Sequence, residues 1–394
     1  MATIATAMSP FADGLRAGAT AKVASFEPVS VSFSSAKQGW VLGTLSCAKD
    51  RRCLAMLETV NAGQSWFNAH LPAPLVNVIN HWDNDTSDVK VHFANPNDGW
   101  VYGQEPATIH QGDQTYSGFK TVLWATHDGG TRWARQMLPG INNQGTIYDL
   151  EASRTMVYVL APTKSDSAEV ESSPVGENEW KKANHVALNG PAGGAQPSGS
   201  MVLEGSTGWL IFGNDRGTTG SAQLSSHDTW VAWRSPCAGV GHGYAVPAAA
   251  NARDLVAVCG MGGFAYPMPT SAPRGATIGS SWLYFSTNGG ASFTAGGEIR
   301  PVKENWSAGQ FAGVLALSQP GVIILSRNVG NTEQLVASYD KGASWSVVYA
   351  GRVSYLNFVD SSEGVGLVDV ANSGEPTIMI MSNDAGRSWK SISF

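Results

Sequence analysis

The stretch 337-ASYDKGASW-345 decides the fold, because variants of it recur along the chain. In each clear copy an Asp or Asn precedes a glycine by two residues, and an aromatic residue follows that glycine by three. The other clear copies are 382-SNDAGRSW-389, 126-THDGGTRW-133, 59-TVNAGQSW-66 and 286-STNGGASF-293. A pattern that returns in this way predicts a repeat architecture, in which every copy closes one structural unit.

The residue types of this stretch predict a hairpin corner that is held by its own hydrogen bonds. The short side chain of Asp340 can accept hydrogen bonds from backbone N–H groups of the turn, and the hydroxyl of Ser338 can add another. Gly342 supplies the positive φ that a bulged hairpin needs. Trp345 then begins the returning strand, where its ring can cover the turn or pack between sheets.

The motif S-x-D-x-G-x-x-W resembles the Asp-box, or BNR repeat, of sialidases, xyloglucanases, sortilin-type receptors and photosystem II stability/assembly factor-like propellers. Residues 338–345 and 382–389 match it in full, and residues 126–133 match with Thr in place of Ser. The resemblance extends over nearly the whole chain. It implies a β-propeller whose boxes are structural and lie away from the active site. Asp340 and Asp384 are therefore expected to be turn residues and not catalytic residues.

A second signal precedes most boxes and completes the unit. It reads as a short apolar strand, a polar turn and a strand opened by Gly-Trp or Gly-Val, as in 33-FSSAKQGWVLG-43, 93-FANPNDGWVYG-103, 202-VLEGSTGWLIFG-213 and 358-FVDSSEGVGLV-368. With the box, each unit becomes four antiparallel strands. We predict an all-β protein, a single seven-bladed β-propeller of four-stranded antiparallel blades with Asp-box turns. The third and fourth boxes, 172-SSPVGENEW-180 and 225-SSHDTWVAW-233, are degenerate, which leaves six or eight blades as alternatives.

The propeller is predicted to span residues 26–394, with residues 1–25 as an N-terminal tail or an extra edge strand. Because the seventh unit already contains four strands, two forms of ring closure are possible. Either the first and seventh blades pack side by side, or the tail pairs with one blade edge.

Composition excludes several classes of partner. The net charge is −6, and the only adjacent basic pairs are 51–52 and 181–182, so a nucleic-acid partner is not expected. No apolar run is long enough to span a bilayer. We also expect no cofactor and a monomeric state.

The four cysteines indicate an exported protein. Cys47 and Cys53 flank the short loop CAKDRRC, a spacing that favours a disulfide-closed loop over a metal site. Cys237 and Cys259 form the second predicted pair, and four reduced buried thiols are the alternative. The first residues lack a basic segment before an apolar one, so we expect a secreted or cell-envelope protein whose signal peptide is not part of this sequence.

The long segments between predicted strands fall on the face opposite the boxes, and this loop face is where we expect the binding site. Aromatic and polar side chains recur there, in a mixture that suits sugar or peptide recognition, although packing between loops is the alternative for any single residue. Asp83, Asp85 and Asp88 also resemble part of a calcium-binding run, against a solvated acidic loop. The candidate ligand-binding residues are His81, Trp82, Asp83, Tyr116, Asp215, Arg216, His242, Tyr244, Arg274, Arg300 and Trp306.

These observations predict an exported binding or assembly propeller that recognises a glycan or an envelope or extracellular protein through its loop face. The alternative is a carbohydrate-active enzyme, a glycoside hydrolase or polysaccharide lyase, with carboxylates at the mouth of the propeller. Sialidase activity is not expected, because the Arg-Ile-Pro motif of that family is missing near the first blade. No G-x-S-x-G elbow is present either, and no catalytic residue can be assigned.

Overall fold

The computed structural model is a ring of seven antiparallel sheets, which confirms the predicted seven-bladed all-β propeller. The structure describes residues 26–47, 51–76, 89–111, 114–141, 146–164, 167–184, 186–191, 197–214, 216–238, 245–260, 281–299, 311–329, 332–369 and 377–394. Residues 1–25 lie outside this description, so their predicted role stays a prediction.

Each blade is built from one continuous segment of the chain, with its four strands in sequence order. Blade 1 holds β1 (Glu27–Phe33), β2 (Gly39–Cys47), β3 (Arg51–Thr59) and β4 (Phe67–Ala69), and helix α1 (Ala73–Val76) follows it. Blade 2 holds β5 (Lys90–Phe93), β6 (Gly99–Gln111), β7 (Gln114–Thr126) and β8 (Ala134–Arg135). Blade 3 holds β9 (Asp149–Ala152), β10 (Met156–Lys164), β11 (Ser167–Pro174) and β12 (Lys181–Lys182), and β13 (Leu188–Asn189) also pairs with β11.

The remaining blades repeat this plan. Blade 4 holds β14 (Ser198–Glu204), β15 (Thr207–Asn214), β16 (Gly217–Leu224) and β17 (Trp230–Ala232). Blade 5 holds β18 (Ala245–Ala249), β19 (Leu255–Gly260), β20 (Ser281–Ser286) and β21 (Thr294–Ile299). Blade 6 holds β22 (Phe311–Gln319), β23 (Val322–Val329), β24 (Thr332–Ser338) and β25 (Ser346–Ala350). Blade 7 holds β26 (Arg352–Phe358), β27 (Gly364–Asp369), β28 (Ile378–Ser382) and β29 (Lys390–Ile392). In the described part of the chain, no helix is long and apolar enough to cross a membrane.

The second strand of each blade is covered on both faces by neighbouring blades. Residues 40–42 in β2 and residues 157–161 in β10 have no exposed surface. A strand covered on both faces reads as a continuous apolar run, because neither set of alternating side chains meets water. This explains why the Gly-Trp strands, with Trp40, Trp100 and Trp209 wholly buried, were visible in the sequence.

The box turns, which are the C–D connections at 59–66, 126–133, 286–293, 338–345 and 382–389, share one set of hydrogen bonds. Ser338 Oγ donates to Asp340 Oδ1 over 2.8 Å and accepts the N–H of Gly342 over 2.7 Å. Asp340 Oδ1 also accepts the N–H of Ser344 over 2.8 Å. The same three bonds occur in the other four copies. The bonds from Ser344 lower the pKa of Asp340 to about 2, as expected for a carboxylate that organises a turn.

One feature of the box turns was not predicted. The residue before the glycine is also left-handed, with φ of 59° at Lys341 and 61° at Ala385. Two other copies have a second glycine at this position, Gly129 and Gly289. The turn therefore needs two consecutive left-handed residues, and five copies meet this with glycine or with a strained L-residue.

The ring closes by apolar packing between blades 1 and 7. Val31 and Leu57 of blade 1 share a buried cluster with Leu367 and Met379 of blade 7. The ring centroid of Phe394 lies 4.8 Å from that of Phe26 and 5.2 Å from that of Trp66. In the described residues, no blade combines strands from both ends of the chain. Side-by-side packing, one of the two predicted forms of closure, is therefore present.

The two faces of the ring differ in the length of their connections. At the box face, five residues or fewer separate the first and second strands of each blade. At the loop face, 11 to 20 residues join most blades, at 70–89, 136–148, 183–197, 233–244 and 300–310. The sequence suggests long loops at 103–119 and 213–222. In the structure both segments are mostly strand, because β6–β7 and β15–β16 continue outward as hairpins.

A disulfide joins Cys237 to Cys259, as predicted, and ties the connection after blade 4 to strand β19 of blade 5. Cys53 is also disulfide-bonded, but the side chain of Cys47 lies outside the described residues. The Cys47–Cys53 pairing therefore stays a prediction.

Candidate functional site in the central channel

The first strands of the blades line the central channel. Each is the terminal strand of its sheet, and successive first strands lie side by side from β1 round to β26. The register with the second strands aligns seven equivalent residues, which we call row one: Ser32, His92, Glu151, Val202, Ala248, Ala316 and Asn357. Two residues earlier, on the same pleat face, is row two: Ser30, Lys90, Asp149, Ser200, Val246, Val314 and Tyr355.

The composition of the two rows divides the channel wall into two arcs. The polar arc consists of both rows in blades 7, 1, 2 and 3, where all eight residues are polar or charged. The apolar arc consists of both rows in blades 4, 5 and 6, where only Ser200 is polar and the others are Val or Ala. The channel wall is thus chemically one-sided, although the backbone around it repeats.

Polar side chains of the rows fasten one blade to the next. Ser30 Oγ accepts the N–H of Val91 over 3.0 Å, and Ser32 Oγ accepts the N–H of Phe93 over 2.8 Å. Two blades further round, Asp149 Oδ2 accepts the N–H of Met201 over 2.7 Å. These N–H groups lie on the outer edge of a first strand. No other strand of the same sheet can accept their hydrogen bonds there. The rows therefore point toward the following blade at the channel wall.

Three carboxyl groups meet in the polar arc and at its border with blade 4. Burial raises the pKa of Glu151 well above its usual value, and the charges of Asp149 and Glu204 raise it further. Burial likewise raises the pKa of Asp149, which the nearby ammonium of Lys90 and the N–H of Met201 oppose. Burial also raises the pKa of Glu204. Carboxyl groups that share an enclosed site without enough positive charge hold their protons to higher pH.

Two further side chains of these rows are desolvated as well. His92 keeps some exposed surface, yet desolvation lowers its pKa to about 4, so its imidazole is neutral near pH 7. Burial raises the pKa of Tyr355 above its usual range, and Glu151 is the next cause. Tyr355 belongs to blade 7 and Glu151 to blade 3. These blades are not neighbours, so the charge of Glu151 acts on Tyr355 from across the ring.

The carboxyl groups lie in the half of the channel that opens at the box face. Glu204 pairs with Thr207 beside the short turn between β14 and β15, and that turn lies at the box face. Asp149 lies further along the channel wall, in row two. Among the described residues, the titratable side chains therefore lie towards the mouth opposite the loop face, where the binding site is expected from the sequence.

Most of the predicted site residues fall outside the described part of the chain. Arg216 is exposed at the turn between β15 and β16, where its N–H donates to Asn214 Oδ1 over 3.0 Å. Tyr116 lies in β7, but its side chain is outside the described residues. The structure does not describe His81, Trp82, Asp83, Asp85, Asp88, Asp215, His242, Tyr244, Arg274, Arg300 and Trp306, so these stay predictions.

The channel residues carried a sequence signal that was missed. Lys90-Val-His92 and Asp149-Leu-Glu151 place two charged or titratable residues at alternate positions directly before the strand-opening turn. The equivalent segments of blades 5 and 6, Val246-Pro-Ala248 and Val314-Leu-Ala316, are apolar at both positions. Comparing first strands between blades would have identified the polar arc, because equivalent positions of a repeat fold share one environment.

Comparisons with known proteins show the fold. No protein-family model matches the chain, and no curated protein matches it. A solved structure described as YCF48 bound to D1 peptide matches with a TM-score of 0.50 and 15% identity, over 91% of each chain. The propeller domain of the Trilobed protease from Pyrococcus furiosus, described as having an open velcro topology, gives 0.53 and 7%, over 94% of this chain and 98% of that chain. A PL25 ulvan lyase bound to its saccharide gives 0.50 and 12%, over 90% and 92%.

The polar arc has two chemical capacities. Its carboxyl groups outnumber the cation Lys90, so the arc is suited to bind a cationic or hydrogen-donating group. The neutral imidazole of His92 is also a potential proton acceptor, and a carboxyl group with a raised pKa, as at Glu151, is a potential proton donor. Within the described ranges, no three His, Cys, Asp or Glu residues are placed to hold a metal ion.

Proposed function

We propose that this protein is an exported binding propeller that takes a cationic side chain or amine of a polypeptide partner into the polar arc of its channel. The observation that carries the proposal is the excess of desolvated carboxyl groups at Asp149, Glu151 and Glu204 over Lys90, the one cation among the residues of the two rows. The Cys237–Cys259 disulfide supports export, and the five box turns support membership of the Asp-box superfamily.

The carboxyl group of Glu151 lowers the stability of the fold unless a positive charge accompanies it. Glu151 receives no hydrogen bond from the described residues, whereas Asp149 accepts two backbone N–H groups. Burying an acidic group without a partner lowers stability, and the fold does not need one there, because Val202, Ala248 and Ala316 occupy the same row. A cationic ligand group beside Glu151 would supply the missing positive charge.

A polypeptide partner is favoured because a lysine or arginine side chain, or a free amino terminus, can reach into a narrow channel from a larger docked body. YCF48 is a propeller of similar fold whose structure holds a peptide.

The proposal can be tested by selecting peptides from a random display library on the wild-type protein and, in parallel, on Glu151→Gln. The variant keeps the size of the side chain and removes its charge. We expect peptides enriched on the wild type to carry Lys, Arg or a free amino terminus, and to bind Glu151→Gln about tenfold more weakly. Enriched peptides without a cationic group, or with equal affinity for both proteins, would contradict the proposal.

A carbohydrate-active enzyme is the second candidate, because the two rows hold several titratable side chains. Asp149, Glu151, a neutral His92 and Tyr355 all stand in these rows, and such groups offer a base and acids for glycoside hydrolysis or β-elimination. The PL25 ulvan lyase has a similar fold and binds a uronic-acid saccharide. Incubation with a panel of polysaccharides, followed by assays for reducing and unsaturated sugar ends, tests it. Product formed by the wild type and lost in both His92→Gln and Tyr355→Phe would favour this candidate.

A further inference from the structure

A small cleft opens on blade 2 beside its seam with blade 3, away from the channel. It has a volume of about 90 Å³ and is open to solvent on one side. Strands β7 and β8 form one wall, and the connection that leads to blade 3 forms the other. The lining residues are Lys120, Thr121, Leu123, Arg135, Gln136, Met137, Leu138 and Ile141. None of them belongs to the polar arc, so the cleft is independent of the proposed function.

Two cationic side chains of this cleft share one carboxylate as their partner. Lys120 Nζ lies 2.9 Å and an Arg135 guanidinium nitrogen lies 3.2 Å from the same oxygen, Oε1 of Glu105. Glu105 is buried, whereas the two cationic side chains are 40% and 36% exposed. Ammonium and guanidinium groups each carry several donors, so a shared oxygen of one carboxylate leaves donors for a second acceptor. The cleft therefore has a net positive charge in a chain whose net charge is −6.

The rest of the cleft is apolar. Leu123, Leu138 and Ile141 are buried and form its floor. At its rim, the side chain of Met137 is 66% exposed, the largest fraction among the exposed large apolar side chains of the described residues. A flexible, polarisable methionine left in water beside a cavity is typical of a contact surface for a ligand. A volume of about 90 Å³ is smaller than the roughly 150 Å³ cavity that holds benzene, so it suits a short aliphatic stem and not a ring.

The loop wall of the cleft is fixed by bonds to both blades. The N–H of Gln136 donates to the Leu123 carbonyl over 2.8 Å, and Trp180 Nε1 of blade 3 donates to Gln136 Oε1 over 3.3 Å. The N–H of Gly140 donates to Glu171 Oε1 over 2.8 Å. A Cβ at Gly140 would clash with the carboxylate ends of Glu169 and Glu171, so a larger residue there would displace these side chains. A wall held at both ends is preorganised, and a ligand would spend little free energy on ordering it.

We propose that this cleft binds a carboxylate carried on a short aliphatic stem. The carboxylate lies between the Lys120 ammonium and the Arg135 guanidinium, and the stem lies on Leu123 and Leu138 under Met137. Acidic side chains of a polypeptide, a polypeptide carboxyl terminus and small organic acids all have this chemistry. Charge-assisted bonds to two cations fix the orientation of the carboxylate.

The test is a titration with propionate at constant ionic strength, followed through the methyl NMR signals of the protein labelled at methionine. We expect saturable shifts at Met137, and no shift with the neutral analogue propionamide. Arg135→Ala should weaken propionate binding about tenfold, because it removes one of two charge-assisted donors. Glu105→Gln should strengthen binding, because it removes the competing carboxylate.

Arg132→Ala is the matched control, because it removes an equal charge from the same blade. Arg132 is exposed and pairs with Asp128 in the box turn, outside the cleft. It should leave propionate binding unchanged. The proposal is overturned if propionate causes no saturable shift, if propionamide binds equally well, or if Arg135→Ala and Arg132→Ala behave alike. Weaker binding by a folded Glu105→Gln would also overturn it.

Competition then identifies the source of the carboxylate. One competitor is a short peptide capped at both ends with an internal Glu, and the other is a peptide with a free carboxyl terminus ending in Ala. Stronger competition by the first identifies an acidic side chain, and stronger competition by the second identifies a chain terminus. Propionate binding that neither peptide displaces identifies a small organic acid.

Discussion

The polar and apolar arcs of the channel wall occupy equivalent positions of one repeated backbone, yet they differ in chemistry. Ala248 in blade 5 and Glu151 in blade 3 both pair with a residue of the adjacent second strand in the same register. The ring therefore forms with Val and Ala at these positions. Ser30, Ser32 and Asp149 of the polar arc bond the next blade, but Glu151 and His92 have no such bond among the described residues. The fold therefore accepts Val or Ala where these two polar residues stand, and hydrogen bonding between blades does not account for them.

The largest effect is expected from placing a charge in the apolar arc. Ala248 is 5% exposed and packs against apolar neighbours, so Ala248→Glu would bury a carboxylate without a partner. We expect a loss of about 3 kcal/mol or more in the free energy of unfolding, measured with urea near pH 7. Ala248→Gln has the same bulk and serves as the control. Equal stability of the two variants would show that the arcs do not differ in their tolerance of charge.

The next effect tests the bonds by which the polar arc joins the blades. Ser32→Ala leaves the N–H of Phe93 without its acceptor at a buried position. We expect destabilisation by about 1–2 kcal/mol in urea unfolding. Ser391→Ala, at an exposed position of β29, is the control and should change stability by less than about 0.5 kcal/mol. If both variants unfold alike, the serines of the arc do not fasten the blades.

A smaller effect concerns the pH dependence of stability contributed by Glu151. Its pKa is raised in the folded state, so the folded protein binds this proton more tightly than the unfolded chain. That stabilisation is complete below the usual Glu pKa and is lost as the pH rises through the raised value. Glu151→Gln should therefore be more stable than the wild type at neutral pH, with the difference vanishing in acid. Parallel stability curves for the two proteins would mean that Glu151 is not enclosed.

The smallest expected effect has the opposite sign and comes from His92. Its pKa is lowered from 6.5 to about 4, so its contribution is complete above the usual His pKa and is lost as the pH falls through the lower value. The wild type should lose stability over this range, and His92→Gln should lose less. Thermal unfolding across that pH range measures the difference. If the wild type and His92→Gln lose the same stability as the pH falls, the imidazole of His92 is in contact with bulk water.

The sequence predicted the architecture because its signals are local. Asp340, Gly342 and Ser338 make all their turn bonds within seven residues, so the turn could be read from the stretch itself. The continuous apolar run of β2 likewise reports burial on both faces. Even the degenerate box ending at Trp180 closes a blade, since β11 and β12 still pair around it.

The candidate site was not predicted because it depends on contacts between blades. Three blades separate Tyr355 from Glu151 along the chain, and the charge of Glu151 reaches Tyr355 only because the blades form a ring. Taken singly, each of these polar residues is of a type that half-buried strands commonly contain, so none of them alone marks a site. The loop-face residues were chosen for their chemistry and for loop length, but loop length does not determine which mouth of the channel holds the titratable groups.

The most direct test of the central claim, that the polar arc receives a cationic group, is to measure proton release on binding. N-acetyl-lysine amide and arginine amide can be titrated into the protein at mildly acidic pH by calorimetry in buffers of different ionisation enthalpy. A cation beside Glu151 lowers the raised pKa of that carboxyl, so binding should release a proton from the wild type and none from Glu151→Gln. Binding without proton release, or equal release by both proteins, would contradict the account.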